Sequence, residues 1–147
     1  MGDILMDKID YEIMKHLEKN ARISIKELSK KVNLSQPAVS VWMKKLEETG
    51  CIKGYLTLID PKTINKNLIC ICLLSSKNKI IDQSFFDFVN QCEDIDECHC
   101  VTWYYEFSLK ISTESSFTLG VLLDTLRKKF GFKSVTYPIV KSIKEGI

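Results

Sequence analysis

Residues 35–45 carry side chains that can read base edges and hold phosphates. A glutamine can pair with an adenine edge, a serine can bond a base or a phosphate, and a small apolar group can lie against a thymine methyl. Lysines are suited to backbone phosphates. The segment offers all of these in Ser35, Gln36, Ala38, Ser40, Val41, Lys44 and Lys45. These residue types predict a surface that contacts double-stranded DNA, with Lys44 and Lys45 on phosphates.

Trp42 lies within the same segment, between its apolar positions and its outer face. Aromatic residues at helical spacing usually pack in a core, so packing is favoured over DNA contact for Trp42. The lysines alone also fit a solvated helix face. Their clustering on two successive helices favours DNA binding.

Six cysteines raise the question of metal chemistry. Two groups of residues are spaced like metal ligands: Cys70 with Cys72, and Cys98 with His99 and Cys100. In the predicted sheet these two groups lie on strands that are separated by one other strand, ~9.6 Å from each other. That distance is too long for one tetrahedral zinc ion. Buried free thiols are therefore expected, with no metal site, and His99 is expected at a sheet surface or subunit interface.

Conventional catalysis has no support in the sequence. No nucleophile, base and orienting group recur at catalytic spacing, and no glycine-rich phosphate loop or HExxH run occurs. We expect no catalytic residue and no cofactor.

Two short helical patterns position the DNA-contact residues. Ile25, Leu28 and Val32 mark an amphipathic helix, and a break at residues 32–34 follows it. Ser35 can cap the next helix, in which Pro37 needs no donor and Val39, Met43 and Leu46 form the apolar side. Gly50 can end this helix, which is predicted over residues 36–49. The arrangement is a helix-turn-helix, whose second helix enters the major groove.

The charge balance and the residue patterns differ between two parts of the chain, which indicates two domains. Residues 1–54 hold ten basic and eight acidic side chains, whereas residues 55–147 hold eleven of each, so the net charge of +2 lies in the first part. A first helix over residues 7–20, capped by Asp7, completes three helices. We predict a DNA-binding domain at 1–54, a connector strand and loop at 55–66, and a second domain at 67–147. Because so small an excess binds DNA weakly, we expect at least a dimer.

The second domain alternates strand and helix patterns. Strands are predicted at residues 68–74, 97–103, 106–111 and 134–143, and helices at 83–92 and 117–129. The order βαββαβ is the ferredoxin-like arrangement, with sheet order 4-1-3-2 and both helices on one face. Pro138 fits an edge strand. The predicted fold class is α+β.

The chain resembles the Lrp/AsnC family, the feast/famine transcriptional regulators of bacteria and archaea. The resemblance is carried by IDYEIMKHLEKNARISIKELSKKVNLS, by LEETGCIKGYLTLIDPKTI and by ECHCVT. It implies a helix-turn-helix domain joined by a β connector to a ferredoxin-like, RAM-type domain. It also implies dimers through the second domain, assembling into tetramers or octamers, and small effectors, usually amino acids, bound between dimers.

One departure from the family pattern lies where the effector is expected. The family's Gly-Asp-aromatic-Asp-aromatic turn is replaced by residues 103–107, WYYEF, so the glycine and first acid are missing. Tyr104 carries no charge at neutral pH, and Trp103 is expected to fill space. The candidate effector residues are Thr102, Trp103, Tyr104, Glu106 and Thr136. Two alternatives to amino-acid sensing are open. In one, the ligand is larger or more aromatic. In the other, the aromatic side chains close the pocket and mediate assembly. A second departure is Trp42, where the family commonly has arginine.

Two other functions remain to be weighed. Siroheme decarboxylases have a similar two-domain layout, and Tyr105 to Leu109 with His99 faintly resemble their turn. Few cationic or imidazole groups are available for propionates: His16, His99, Arg22 and Arg127. The other alternative is an oligomerising or ligand-sequestering protein that does not bind DNA. No run is long enough for a membrane span and no signal-peptide layout is found, so a cytoplasmic protein is expected.

Overall fold

The computed structural model describes residues 6–76 and 82–143, which form two compact units divided between Leu58 and Ile59. The head comprises residues 6–58, and the tail comprises residues 59–76 and 82–143. No helix in these ranges combines the length and apolar character needed to cross a bilayer.

The head contains three helices, α1 (Lys8–Lys19), α2 (Ile25–Lys31) and α3 (Gln36–Glu48). The side chains of Asp7, Ser24 and Ser35 cap them by accepting hydrogen bonds from backbone N–H groups of the first turn. Asp7 and Asp10 also form a reciprocal capping box. The predicted helix-turn-helix and the caps Asp7 and Ser35 are confirmed.

The head core is built from apolar residues at helical spacing. Its buried side chains are Ile13, Leu17, Leu28, Val32, Val39 and Leu46. Met43 and Trp42 pack against this core while partly exposed, which agrees with the packing role expected for Trp42.

The connector differs from the strand predicted for it. Among the described residues, 55–60 pair with no strand. Their exposed apolar side chains are Tyr55, Leu56, Leu58 and Ile59. A strand needs the backbone groups of a neighbour, and the described residues supply none at this position. A 3-10 turn, Pro61–Ile64, follows with Asp60 as its cap.

The tail is a four-stranded antiparallel sheet with two helices. Its elements are β1 (Leu68–Ser76), α4 (Gln83–Gln91), β2 (Ile95–Cys100), β3 (Phe107–Thr113), α5 (Ser116–Phe130) and β4 (Phe132–Pro138). The strand order is β2-β3-β1-β4, which confirms the predicted ferredoxin-like order. Pro138 pairs with Cys70 at the end of the edge strand β4, as expected for a residue without an N–H group.

Two predicted strands extend beyond the observed ones. β2 ends at Cys100 rather than at residue 103, and β4 ends at Pro138 rather than at residue 143. Residues 101–106 leave the ladder to form the bend between β2 and β3, which alternation of residue types does not reveal.

Helices α4 and α5 cover one face of the sheet. Phe85 of α4 is 1% exposed, and its ring centroid lies 4.8 Å from that of Phe107 and 4.9 Å from that of Phe132. Leu122 and Leu126 of α5 complete this core. Side chains on the other face include Ile69, Ile71 and Leu73, which are half-buried, and Val135 and Tyr137, which are exposed.

The prediction of buried thiols is confirmed for Cys70 and Cys72 and is wrong for Cys100, which is exposed, while Cys98 is half-buried. Cys70 and Cys72 are both buried on the helix-covered face, and β3 separates their strand from Cys98 and Cys100. Burial raises the pKa of Cys70 to about 11, with a smaller contribution from Cys72. His99 is exposed, and its Nε2 lies 3.1 Å from Glu97 Oε2. Within residues 6–76 and 82–143 no three His, Cys, Asp or Glu side chains converge on a metal position.

Candidate nucleic-acid interface and effector region

Helix α3 is placed by local signals on both sides. Asn33 adopts a φ of +53° in the turn after α2, and Leu34 N–H donates to Ser29 C=O at 3.0 Å. Ser35 Oγ accepts from Ala38 N–H at 3.3 Å. At the other end Gly50 has a φ of +74°, a conformation that glycine adopts without strain. These features start and stop the recognition helix at the predicted places.

The outward side of α3 presents most of the predicted base-contact residues together. Gln36, Ser40 and Lys44 are exposed, and Val41 is 70% exposed. Ala38 is half-buried and contributes less surface than expected. Ser40 Oγ donates to Gln36 C=O at 3.1 Å, so its lone pairs stay free to accept.

The two lysines at the end of this face differ. Lys44 is 75% exposed and forms an ion pair at 3.6 Å with the exposed Glu48. Lys45 is 44% exposed, and its Nζ lies 3.6 Å from Asp10 Oδ2 and 4.3 Å from the centroid of the Trp42 ring. The sequence assigned both lysines to phosphates, which stays a prediction; Lys44 is the more exposed of the two, and Lys45 lies beside Asp10 and Trp42.

Asp10 is a residue that the DNA-contact pattern missed. Its side chain is 1% exposed in the first turn of α1. Oδ2 accepts from Asp7 N–H at 2.9 Å, and Oδ1 has no hydrogen-bond partner among the described residues. The spacing of Asp7 and Asp10 signals the capping box, but nothing local signals the ion pair with Lys45.

Tyr55 is a second residue that the pattern missed. Its hydroxyl donates to Glu47 Oε1 of α3 at 2.8 Å. Burial, followed by the hydrogen bond and negative charge of Glu47, raises the pKa of Tyr55 to about 12. The phenol of the connector is thereby tied to the end of the recognition helix.

The candidate effector residues lie in the bend between β2 and β3, except for Thr136. Trp103 is fully exposed with a φ of +96°, and Tyr104 is exposed beside it. The Tyr104 and Tyr105 rings meet edge to face at a centroid distance of 5.1 Å. In the single chain the indole of Trp103 is fully exposed, so its filling of a site between dimers stays a prediction. Thr102 is exposed as well.

Glu106 anchors this bend to β1. Its N–H donates to Leu74 C=O at 2.9 Å, and its Oε2 accepts from Ser76 N–H at 2.8 Å. Thr136 lies on β4, with β1 between it and β3, and its Oγ1 lies 3.5 Å from Cys72 Sγ. Within one chain the structure brings Trp103, Tyr104 and Glu106 together but leaves Thr136 apart from them.

Comparison with known proteins adds an independent line of evidence. Residues 6–53 match the family model described as winged helix-turn-helix DNA-binding. The chain is 34% identical over 120 residues to the uncharacterized HTH-type transcriptional regulator YezC of Bacillus subtilis, covering 82% of this chain and 84% of the relative. It is 31% identical over 145 residues to the leucine-responsive regulatory protein of Escherichia coli K12, covering 96% and 88%.

Solved structures resemble the whole chain. The structure of B. subtilis LrpC matches with a TM-score of 0.85 and 27% identity, covering 96% of this chain and 99% of LrpC. A transcriptional regulator from Neisseria meningitidis, solved as a complex with L-methionine, matches with a TM-score of 0.87 and 26% identity, covering 95% and 93%.

Proposed function

Because the chain belongs to the Lrp/AsnC family of DNA-binding transcriptional regulators, we propose that it binds specific promoter sequences as a dimer or higher oligomer, with α3 in the major groove. The observation that carries this proposal is the outward side of α3. Its inward residues Val39 and Leu46 are buried, while Gln36, Val41 and Lys44 face solvent. A glutamine amide, a valine methyl and a lysine ammonium suit an adenine edge, a thymine methyl and a phosphate. Control of promoters through occlusion or wrapping, in the cytoplasm, is part of the proposal.

The oligomer is supported by the charge and by the open face of the sheet. Residues 1–54 carry an excess of only two positive charges, too few for tight binding by a monomer. Two heads related by a two-fold axis would read a palindromic site. The apolar side chains Ile71, Leu73 and Tyr137 on the uncovered face of the tail sheet suit contact with a second copy.

A small effector bound at the bend of residues 101–106 is the second part of the proposal. The Neisseria relative was solved with L-methionine, which supports an amino acid as one candidate. In this chain one oxygen of Glu106 already holds Ser76 N–H, and the exposed Trp103 and Tyr104 offer aromatic faces. These features favour a ligand with an aromatic or extended apolar part over a small amino acid. Thr102 and Thr136 would contribute hydroxyls, Thr136 only if a second copy completes the site.

The test of DNA binding is a mobility-shift assay on the duplex upstream of the protein's own gene, with unlabelled competitor and at two salt concentrations. We expect a stepwise shift that resists mixed-sequence competitor and weakens steeply with salt. A shift that any DNA removes equally would contradict sequence-specific binding. The reported relatives are named as transcriptional regulators, which favours this function over tetrapyrrole chemistry.

The effector proposal is tested by a thermal-shift screen of the twenty amino acids and of aromatic carboxylates. Wild type and Trp103→Gly are screened in parallel. Aromatic ligands should stabilise the wild type and lose this effect in Trp103→Gly. Equal stabilisation of both proteins would show that the indole does not contact the ligand.

A further inference from the structure

We infer that Lys45 is a positioning residue that braces the recognition helix α3 against α1 through the buried carboxylate of Asp10, with Trp42 as its support. The inference rests on the proposed function, because it assigns a role within the helix that is proposed to enter the major groove. It changes the role of a lysine that the sequence alone would place on a phosphate.

The buried Asp10 side chain has a cation beside it, Lys45 Nζ at 3.6 Å from Oδ2. Its side chain is 1% exposed among the apolar residues of the head, and an ionised carboxylate in such a place is strongly disfavoured unless it is paired. One hydrogen bond, from Asp7 N–H, reaches Oδ2, and Oδ1 has none among the described residues. Lys45 Nζ, 3.6 Å from Oδ2, supplies the compensating charge.

Trp42 holds the ammonium in position. The indole precedes Lys45 by three residues, a spacing that puts two side chains on the same side of a helix. Lys45 Nζ lies 4.3 Å from the ring centroid, within the range of a cation–π contact. The ring itself packs on the head core. These contacts explain why an aromatic residue, Trp42, lies on the helix that is proposed to enter the major groove.

Lys44 provides the contrast on the same helix. It is 75% exposed, and its partner Glu48 is also exposed, so the ion pair contributes little to stability. Lys44 can therefore leave Glu48 readily to bind a phosphate. To reach DNA, Lys45 would have to leave both the carboxylate and the indole. The buried carboxylate of Asp10 would then have no cation beside it. Of the two lysines, Lys44 is the phosphate contact and Lys45 is the brace.

Four full-length proteins test this division: wild type, Lys44→Met, Lys45→Met, and the double variant Asp10→Asn with Lys45→Met. Methionine keeps the unbranched apolar stem over Trp42 and removes the charge. Asparagine keeps an acceptor for Asp7 N–H and removes the buried carboxylate. The dissociation constant on the upstream duplex is measured across a salt series, together with thermal unfolding.

We expect Lys44→Met to flatten the slope of log Kd against log salt by about one, with little change in Tm. Lys45→Met should leave the slope unchanged, weaken binding about tenfold and lower Tm by about 10 °C, because the carboxylate is left unpaired. The double variant should recover most of the lost Tm and bind within about threefold of wild type.

The inference is overturned if Lys45→Met flattens the slope by about one and the double variant does the same. If Lys45→Met alone does not fold, the double variant decides by its slope: an unchanged slope supports the brace, and a flattened one refutes it. If wild type shows no salt-dependent DNA binding, the proposed function fails. The brace is then judged by the recovery of Tm alone, and no recovery in the double variant refutes it.

Discussion

In the head, three helices of 12, 7 and 13 residues are held by side-chain caps, a small apolar core and an ion pair between the buried Asp10 and the partly exposed Lys45, whereas the tail is held by strand pairing around an aromatic core. Helices this short are marginal in isolation, so their caps and mutual contacts decide whether the head forms. In the tail, the central strand β1 pairs with both β3 and β4. The comparison shows that the head, which is the proposed DNA-binding unit, depends on polar groups at a few positions. The tail depends on buried apolar area.

The largest effect should come from the aromatic core of the tail. We expect Phe85→Ala to lower the free energy of unfolding by about 4 kcal/mol, because it empties the centre of that core. Urea titration followed by circular dichroism measures the loss. In a Trp103→Phe background the remaining Trp42 reports on the head, and its transition should not move if the two units fold independently. The exposed Phe117 provides the control, since Phe117→Ala should change stability by less than about 0.5 kcal/mol.

The caps of the head should give a smaller effect. Ser35→Ala removes the acceptor for Ala38 N–H and should lower stability by about 1 kcal/mol. Ser35→Asp keeps a capping oxygen, so it should preserve stability while weakening DNA binding through repulsion from phosphates. Thermal unfolding and mobility shift separate the two properties. If Ser35→Asp binds DNA as well as wild type does, the start of α3 does not approach the duplex.

The bend at Trp103 should respond to backbone conformation. A φ of +96° is strained for any residue except glycine, so Trp103→Gly should stabilise the isolated protein by about 0.5 to 1 kcal/mol. Trp103→Ala is the matched control, because it removes the indole and keeps the strain. Chemical unfolding compares the two variants. A loss of stability in both would mean that the indole is buried in an assembly.

The smallest effect should be the titration of Tyr55. An unfolded tyrosine loses its proton near pH 10, and Tyr55 in the folded chain does so near 12, so the folded state binds the proton more tightly. This contribution is fully present below pH 10 and is lost as pH rises from 10 to 12. Stability measured against pH should therefore fall more in wild type than in Tyr55→Phe. Because Tyr55 is half-exposed, the difference is small, and parallel curves would contradict it.

Local signals made much of the head predictable. Asp7, Ser35 and Gly50 act on backbone groups within a few residues of themselves, so their effect can be seen in the sequence. The same holds for the outward residues of α3, since helical spacing determines which side they share. The order of the tail strands was also predictable, because few connections of a βαββαβ chain place both helices on one face.

The remaining features depend on groups that are distant along the chain. The connector is extended in pattern yet pairs with no strand among the described residues. The exposed Trp103 contacts nothing that the sequence could identify. Thr136 was grouped with Glu106 by resemblance, but β1 lies between β4, which carries Thr136, and β3, which follows Glu106.

The sequence by itself determined the class of this protein: a capped helix-turn-helix, followed by a ferredoxin-like domain. Only the tertiary structure decided how the two adjacent lysines differ. Lys44 and Lys45 are chemically identical neighbours in the sequence, yet their side chains are 75% and 44% exposed. A carboxylate buried on another helix draws one of them inward, and burial is a property of the packed molecule that no local pattern of residues contains.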